Sequence, residues 1–298
     1  MTYSKISLLG FTAEYLCCIN CKSDLSIEPL ISNEEIQEGF LNCVKCGHSY
    51  PVISSVPFML DNFSSYLSIR TVLGGQLMLM TKSQKMKSFV KNALGNISRI
   101  SEDTSDLERN WTGIYKRSMN SKFYAYVKDS IQKLPRCDLV LEHGCSIGYV
   151  ARESAKQNSR VFGIDKSFYA ILEAKKHQRK NSDFVVADSL NTPFGNKKFD
   201  LVIALNLLDI VEPSKLLQTV SHQSRRFLML SDPYDFERGK NSVKSKTSPE
   251  ELRSYLRNAG FKLIQRTINP SFILWKLNMN PRLSLNYKVD LIVAQKNN

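Results

Sequence analysis

From Cys137 onward, apolar residues fall into short runs bounded by turn residues and separated by segments of helical period. Residues 138–142 (Asp-Leu-Val-Leu-Glu), 160–165, 183–188, 199–206 and 226–231 are each nearly continuous in hydrophobicity. That is the pattern of parallel strands covered on both faces, where no side of the strand meets water. Residues 149–156 and 213–224 read as helices between them. Ser248-Pro-Glu-Glu251 is a capping box with proline at the first helical position, and it opens a helix that ends at Gly260. Residues 261–267 and 287–295 supply two more strands, so the expectation is an α/β fold with seven strands and a final hairpin.

Upstream the pattern is helical. Met86, Phe89, Val90, Ala93, Leu94, Ile97 and Ile100 recur on one face of an amphipathic helix. Residues 106–134 read as a second helical stretch containing Trp111, Tyr115, Phe123, Tyr124 and Tyr126, which either cover a ligand or complete a core. The chain therefore divides into an N-terminal unit (1–61), a helical linker and lid (62–135) and the α/β domain (136–298).

The turn after the first strand is where chemistry is expected. It reads Glu142-x-Gly144-x-Ser146-x-Gly148, and an acid, Asp165, ends the second strand. Glycines let a backbone approach a ligand near a helix N-terminus, and an acid after the next strand can accept hydrogen bonds from a ribose diol. A dinucleotide site needs a different glycine spacing to seat a pyrophosphate. The spacing here resembles the first motif of Rossmann-like S-adenosylmethionine (SAM) methyltransferases, whose cofactor has no phosphate to cradle. Ser146 stands where that family usually has glycine, and it is expected to fit with a negative φ. By this resemblance Asp188, after the third strand, contacts the adenine and Asn206, ending the fourth, lies beside the methyl group. The fold implied is the seven-stranded methyltransferase sheet with helices on both faces.

Five of the seven cysteines lie within thirty residues. Cys18-Ile-Asn-Cys21 and Cys43-Val-Lys-Cys46 are two knuckles that together supply four thiolates for tetrahedral, structural zinc. Cys17 is spare, and His48 is left outside the ligand set. Gly47 supplies the positive φ that a knuckle turn often needs. With Tyr50-Pro51-Val52 and Val56-Pro57-x-Met59-Leu60 behind them, these knuckles resemble the small zinc-ribbon family that activates tRNA, rRNA and translation-factor methyltransferases. Members usually have proline where this chain has Ile19. The resemblance implies a ribbon fused in cis to its methyltransferase.

Charge refines the choice of partner. The chain of 298 residues has a formal charge of +13. Residues 1–60 hold three bases against six acids, whereas 238–298 hold twelve bases against Glu250, Glu251 and Asp290. An acidic ribbon is expected to dock on the basic remainder of its own chain. No apolar run of membrane-spanning length and no secretory leader is seen, which points to the cytoplasm. The proline-rich signature of base and glutamine amino-methylases is missing after the fourth strand. The segments 206–213, 230–236 and 272–282 distantly resemble histidine-derivative N-methyltransferases, which makes Tyr234 and Asp235 substrate-site candidates, with Asp209 and Trp275 behind them. The first expectation is N-methylation of a small molecule or peptide. A tRNA or rRNA methyltransferase is the alternative, favoured by net charge, and a non-catalytic scaffold is the third.

Overall fold

A computed structural model describes residues 12–97, 102–236, 243 and 245–297. The N-terminal unit is an antiparallel meander of β1 (Leu25–Ser32), β2 (Ile36–Cys43), β3 (Ser49–Ile53) and β4 (Val56–Met59). Five helices follow: α1 (Phe63–Ser68), α2 (Thr71–Met80), α3 (Gln84–Gly95), α4 (Ser105–Arg117) and α5 (Lys122–Gln132). The remainder alternates as β5 (Leu139–His143), α6 (Tyr149–Ser154), β6 (Arg160–Asp165), α7 (Phe168–Lys176), β7 (Ser182–Ala187), β8 (Phe199–Leu205), α8 (Pro213–Gln223) and β9 (Ser224–Asp232). It closes with α9 (Pro249–Asn258), β10 (Phe261–Leu263), β11 (Ile273–Asn280) and β12 (Leu283–Lys296).

The helical stripe is α3, which buries Met86, Val90 and Ala93. Ile100, counted in that stripe, lies outside the described residues. The second helical stretch is two helices, because Ser118 caps the end of α4 and the Ser121 hydroxyl accepts the Tyr124 N–H to start α5. The capping box of α9 forms as expected, with Glu251 Oε2 accepting the Ser248 N–H and Ser248 Oγ accepting the Glu251 N–H.

Within the α/β part the strand order is β7-β6-β5-β8-β9-β12-β10, seven strands of which the first five are parallel. The sheet does not stop at seven. β4 pairs in parallel with β7, Phe58 opposite Val186 and Met59 opposite Ala187, so the meander continues the sheet past its β7 edge. β11 pairs with β12, giving twelve strands in all. An unpaired edge of buried apolar residues is unfavourable, and β4 satisfies it with hydrogen bonds that β7 has no other way to make. Residues 265–267 turn as a short 3-10 segment instead of prolonging β10.

Other contacts tie the meander to the α/β part. The Cys17 N–H donates to Pro193 O at 2.7 Å, and Thr12 Oγ1 donates to Asp183 Oδ2. Phe58 stacks on Phe168 at 5.2 Å between ring centres. Glu38, only 3% exposed, accepts the N–H groups of Lys82 and Ser83 at the start of α3. A carboxylate from β2 of the meander thus sits at the positive end of a lysine-rich helix.

Candidate active site

A cleft opens at the carboxyl ends of β5, β6 and β8, where the strand order reverses. Its floor is the turn between β5 and α6. Gly144 (φ +61°) and Gly148 (φ +68°) both take left-handed backbone. A Cβ on Gly144 would lie 2.5 Å from Leu207, and one on Gly148 2.5 Å from Phe184 and 2.9 Å from Ala174. Both positions require glycine by conformation and by space.

Ser146 corrects the sequence reading. Its φ is +48°, not negative, and its N–H donates to Asp165 Oδ2 at 2.9 Å. The turn needs that hydrogen bond, so serine accepts the strain glycine would avoid. Ser146→Gly is expected to raise stability by about 1 kcal/mol by removing that strain, which a thermal melt would register as a small rise in Tm. A fall in Tm would mean that the serine hydroxyl has a structural role.

Asp165 receives a second N–H, from Ser167 at 2.8 Å, so one carboxylate fixes the first turn and the start of α7 together. Burial pushes its carboxyl above the ordinary range, against the pull of those two donors. Glu142 is 3% exposed, its Oε2 has no hydrogen-bond partner, and burial pushes its pKa up to about 8. Asn206 (φ +54°) lines the same cleft, with its amide oxygen held by Ser231 Oγ at 2.8 Å. Asp188 lines an adjoining hollow that shares Gly144, Asp165, Leu207 and Ile210 with the cleft. There it accepts the Leu190 N–H and pairs with Lys166 at 2.8 Å.

The opposite wall is made by the helical linker and the C-terminal hairpin. Trp111 and Tyr115 from α4, Phe123 and Tyr124 from α5 and Trp275 from β11 all face the cleft. Lid and core are thus the same residues here, since Phe123 and Trp275 are also buried in the hydrophobic core. Glu108, also in this wall, carried no signal in the sequence. It pairs with Arg70 at 2.7 Å while its Oε2 has no hydrogen-bond partner.

The substrate-site candidates lie elsewhere: none of Tyr234, Asp235 and Asp209 is among the residues lining the cleft. Tyr234 (φ +54°) donates its hydroxyl to Asp290 Oδ2 at 3.0 Å, and Asp290 is held by Arg253 at 2.6 Å. Asp209 is fully buried and Asp235 half-buried. Trp275, placed behind them by the resemblance, is the member of that group that reaches the cleft.

In the meander, the sulfur atoms of Cys18, Cys21, Cys43 and Cys46 all lie within 4.8 Å of one another. The separations are 3.6 Å for Cys18–Cys46 and 3.3 Å for Cys21–Cys43. A tetrahedral zinc with four thiolates needs sulfur atoms about 3.8 Å apart, so the set fits. The N–H groups of Lys45 and Cys46 point at Cys43 Sγ at 3.4 Å, and Gly47 has φ +71°. His48 packs against Tyr50 with its ring tilted by 54° and is not part of the cluster.

Residues 140–228 match a family model described as a methyltransferase domain. The sterol 24-C-methyltransferase of Saccharomyces cerevisiae is 36% identical over 88 residues, 28% of this chain and 22% of that protein. Its counterpart in Eremothecium gossypii is 36% identical over 74 residues, 23% of this chain and 20% of that protein. The alignments thus span about a fifth of the curated relatives' length. Among solved structures, a chain of the complex between a Haloferax volcanii methyltransferase activator and a methyltransferase superposes with a TM-score of 0.52. It is 17% identical, covering 66% of this chain and 98% of that one. The α/β part therefore has the methyltransferase fold, with residues 140–228 matching a methyltransferase domain.

Proposed function

We propose that the chain transfers a methyl group from SAM to a nitrogen of a small molecule or peptide, with a zinc ribbon fused in cis as a structural part. The observation carrying the first half is the cleft itself: a glycine turn, Asp165 and Asp188 on adjoining strand ends, and one carboxyl oxygen of Glu142 without a partner behind the turn. When bound, SAM supplies an electrophilic methyl on a sulfonium. The chain's residues would hold it: Asp165 would accept from the ribose diol, Asp188 and the hollow around Leu207 would receive the adenine, and Glu142 with Ser146 would meet the amino-acid end. Methyl transfer is a direct displacement, so positioning and exclusion of water carry the catalysis. Tyr234, Asp235 and Asp209 do not line the cleft and would act from behind it, supporting the loops after β8 and β9 that border the acceptor side. The four cysteines hold zinc, and the ribbon stands to this domain as an activator subunit stands to a separate partner. Among the described residues no helix is long and apolar enough to cross a membrane, and we place the chain in the cytoplasm.

The test is calorimetric titration with SAM and S-adenosylhomocysteine, followed by transfer of labelled methyl into fractionated lysate. Label sensitive to nuclease would replace the small-molecule reading with the RNA one.

A pH dependence follows from Glu142. Its carboxyl is protonated in the free chain below about 8, whereas the cofactor's ammonium favours the carboxylate. Binding then releases a proton, and affinity rises with pH. Between pH 6 and 7, where an α-amino group is still charged, the gain is about tenfold. Titrations in buffers of different ionisation enthalpy should show the proton leaving, and affinity that falls across this range would remove Glu142 from the site. Glu142→Gln should flatten the dependence.

A further inference from the structure

We propose that the aromatic chamber on the far wall of the cleft is the acceptor subsite, and that it takes an uncharged amine or azole nitrogen on an apolar body. This rests on the cofactor reading above. The chain has two tryptophans, Trp111 and Trp275, and both line this one cleft. Their rings join a continuous surface: Trp111 lies 5.7 Å from Tyr115, which stacks on Trp275 at 6.2 Å and an 11° tilt. Tyr124 and Tyr149 close the chamber toward the glycine turn, 5.1 Å apart.

Two further observations give the chamber its chemistry. First, among the described residues no lysine or arginine lines the cleft, although the chain as a whole is at +13. Glu108, Glu142 and Asp165 line it instead, Glu108 already paired with Arg70 and Glu142 pushed toward its neutral form by burial, so Asp165 and the ring faces supply the attraction for a cation. A site of acids and ring faces attracts cations and repels phosphates. Second, Trp275 is 4% exposed and its indole sits against the Tyr124 side chain, so what this wall presents to the cleft is ring face, which suits an apolar body.

A neutral nitrogen enters as the nucleophile with its lone pair free and leaves as a cation that the ring faces attract. The nitrogen lone pair forms the N–C bond as the C–S bond breaks and its electrons pass to sulfur. The positive charge moves from sulfur to nitrogen, and the rings and carboxylates that faced one cation face the next. An amine that arrives protonated first gives its proton to water or to one of these carboxylates.

Because the tryptophans sit only here, their fluorescence reports on the chamber. The full chain, saturated with S-adenosylhomocysteine, is titrated with benzyltrimethylammonium, which mimics a methylated product, and separately with benzenesulfonate, an anion of similar body. The ammonium should quench saturably and bind at least about tenfold more tightly than the sulfonate. Trp275→Leu should weaken the ammonium about tenfold while shifting S-adenosylhomocysteine affinity by less than about threefold. Trp111→Leu, at a half-buried position that is safer for folding, should act in the same direction with Trp275 as reporter. Equal or tighter binding of the sulfonate, or no response to the ammonium while S-adenosylhomocysteine still binds, would overturn the subsite and leave the cofactor reading standing. Failure of S-adenosylhomocysteine itself to bind would overturn the cofactor reading and the subsite with it.

Discussion

Asp165→Ala should abolish measurable cofactor binding at micromolar concentrations. Two charge-assisted hydrogen bonds to a ribose diol are each worth about 1.5–3 kcal/mol, so losing both corresponds to roughly a hundredfold to a few thousandfold. The same carboxylate accepts the N–H groups of Ser146 and Ser167, so its removal also loosens the two loops that shape the cleft. Those loops would then pay an ordering cost on binding, which adds to the loss. The comparison that separates the two effects is Asp165→Asn, which retains one acceptor oxygen for the backbone but loses the charge and the second acceptor. Calorimetry with S-adenosylhomocysteine should rank wild type above Asn above Ala, with thermal melts showing only modest destabilisation in Asn. An Ala variant with an unchanged binding curve would refute the cofactor assignment.

The central strands were readable because burial on both faces leaves an unbroken apolar run. Val140 to Glu142, Val161 to Ile164 and Phe184 to Ala187 are all buried in the structure. The acids that end β6 and follow β7 were visible for the same reason, since they mark where the run meets the cleft. What the sequence concealed were relations between distant segments. Val56-Pro-Phe-Met59 is apolar enough to be a strand, but nothing in it names β7 as its neighbour across more than a hundred residues. β11 was missed although Trp275 and Leu277 are buried between exposed Leu274 and Lys276, a period of two. Its one tryptophan drew attention as a site residue and the alternation around it went unread. Local backbone strain was equally hidden. The left-handed Ser146 follows from the hydrogen bond to Asp165, and the left-handed Tyr234 from the Asp290–Arg253 pair that anchors its hydroxyl. Both partners lie far away in sequence, so spacing alone cannot report the conformation.

Cys43→Ser should strip the chain of zinc and destabilise the whole sheet. Apparent zinc-binding free energies of about 10–16 kcal/mol in small zinc modules match or exceed the total stability of a typical domain, about 5–15 kcal/mol. The four sulfur atoms join the loop from Cys18 to Cys21 to the turn from Cys43 to Gly47, with the Tyr50 hydroxyl accepting the Ile19 N–H beside them, so a bound metal would cross-link the two knuckles. Loss would not stay local. β4 continues the sheet from β7, the Cys17 N–H bonds to Pro193, and Glu38 caps α3 of the lid support. Each tie connects ribbon order to the strand ends that carry Asp165 and Asp188. Metal analysis of the wild-type chain should return about one zinc per chain, and Cys43→Ser should give insoluble protein or a Tm lowered by more than about 10 °C. Cys17→Ser is the control, since Cys17 lies beside the cluster but outside the four, and it should keep its zinc. A Cys43→Ser chain that melts like wild type, or a wild-type chain purified without zinc and fully stable to chelator, would show that the cysteines do not form a structural metal site.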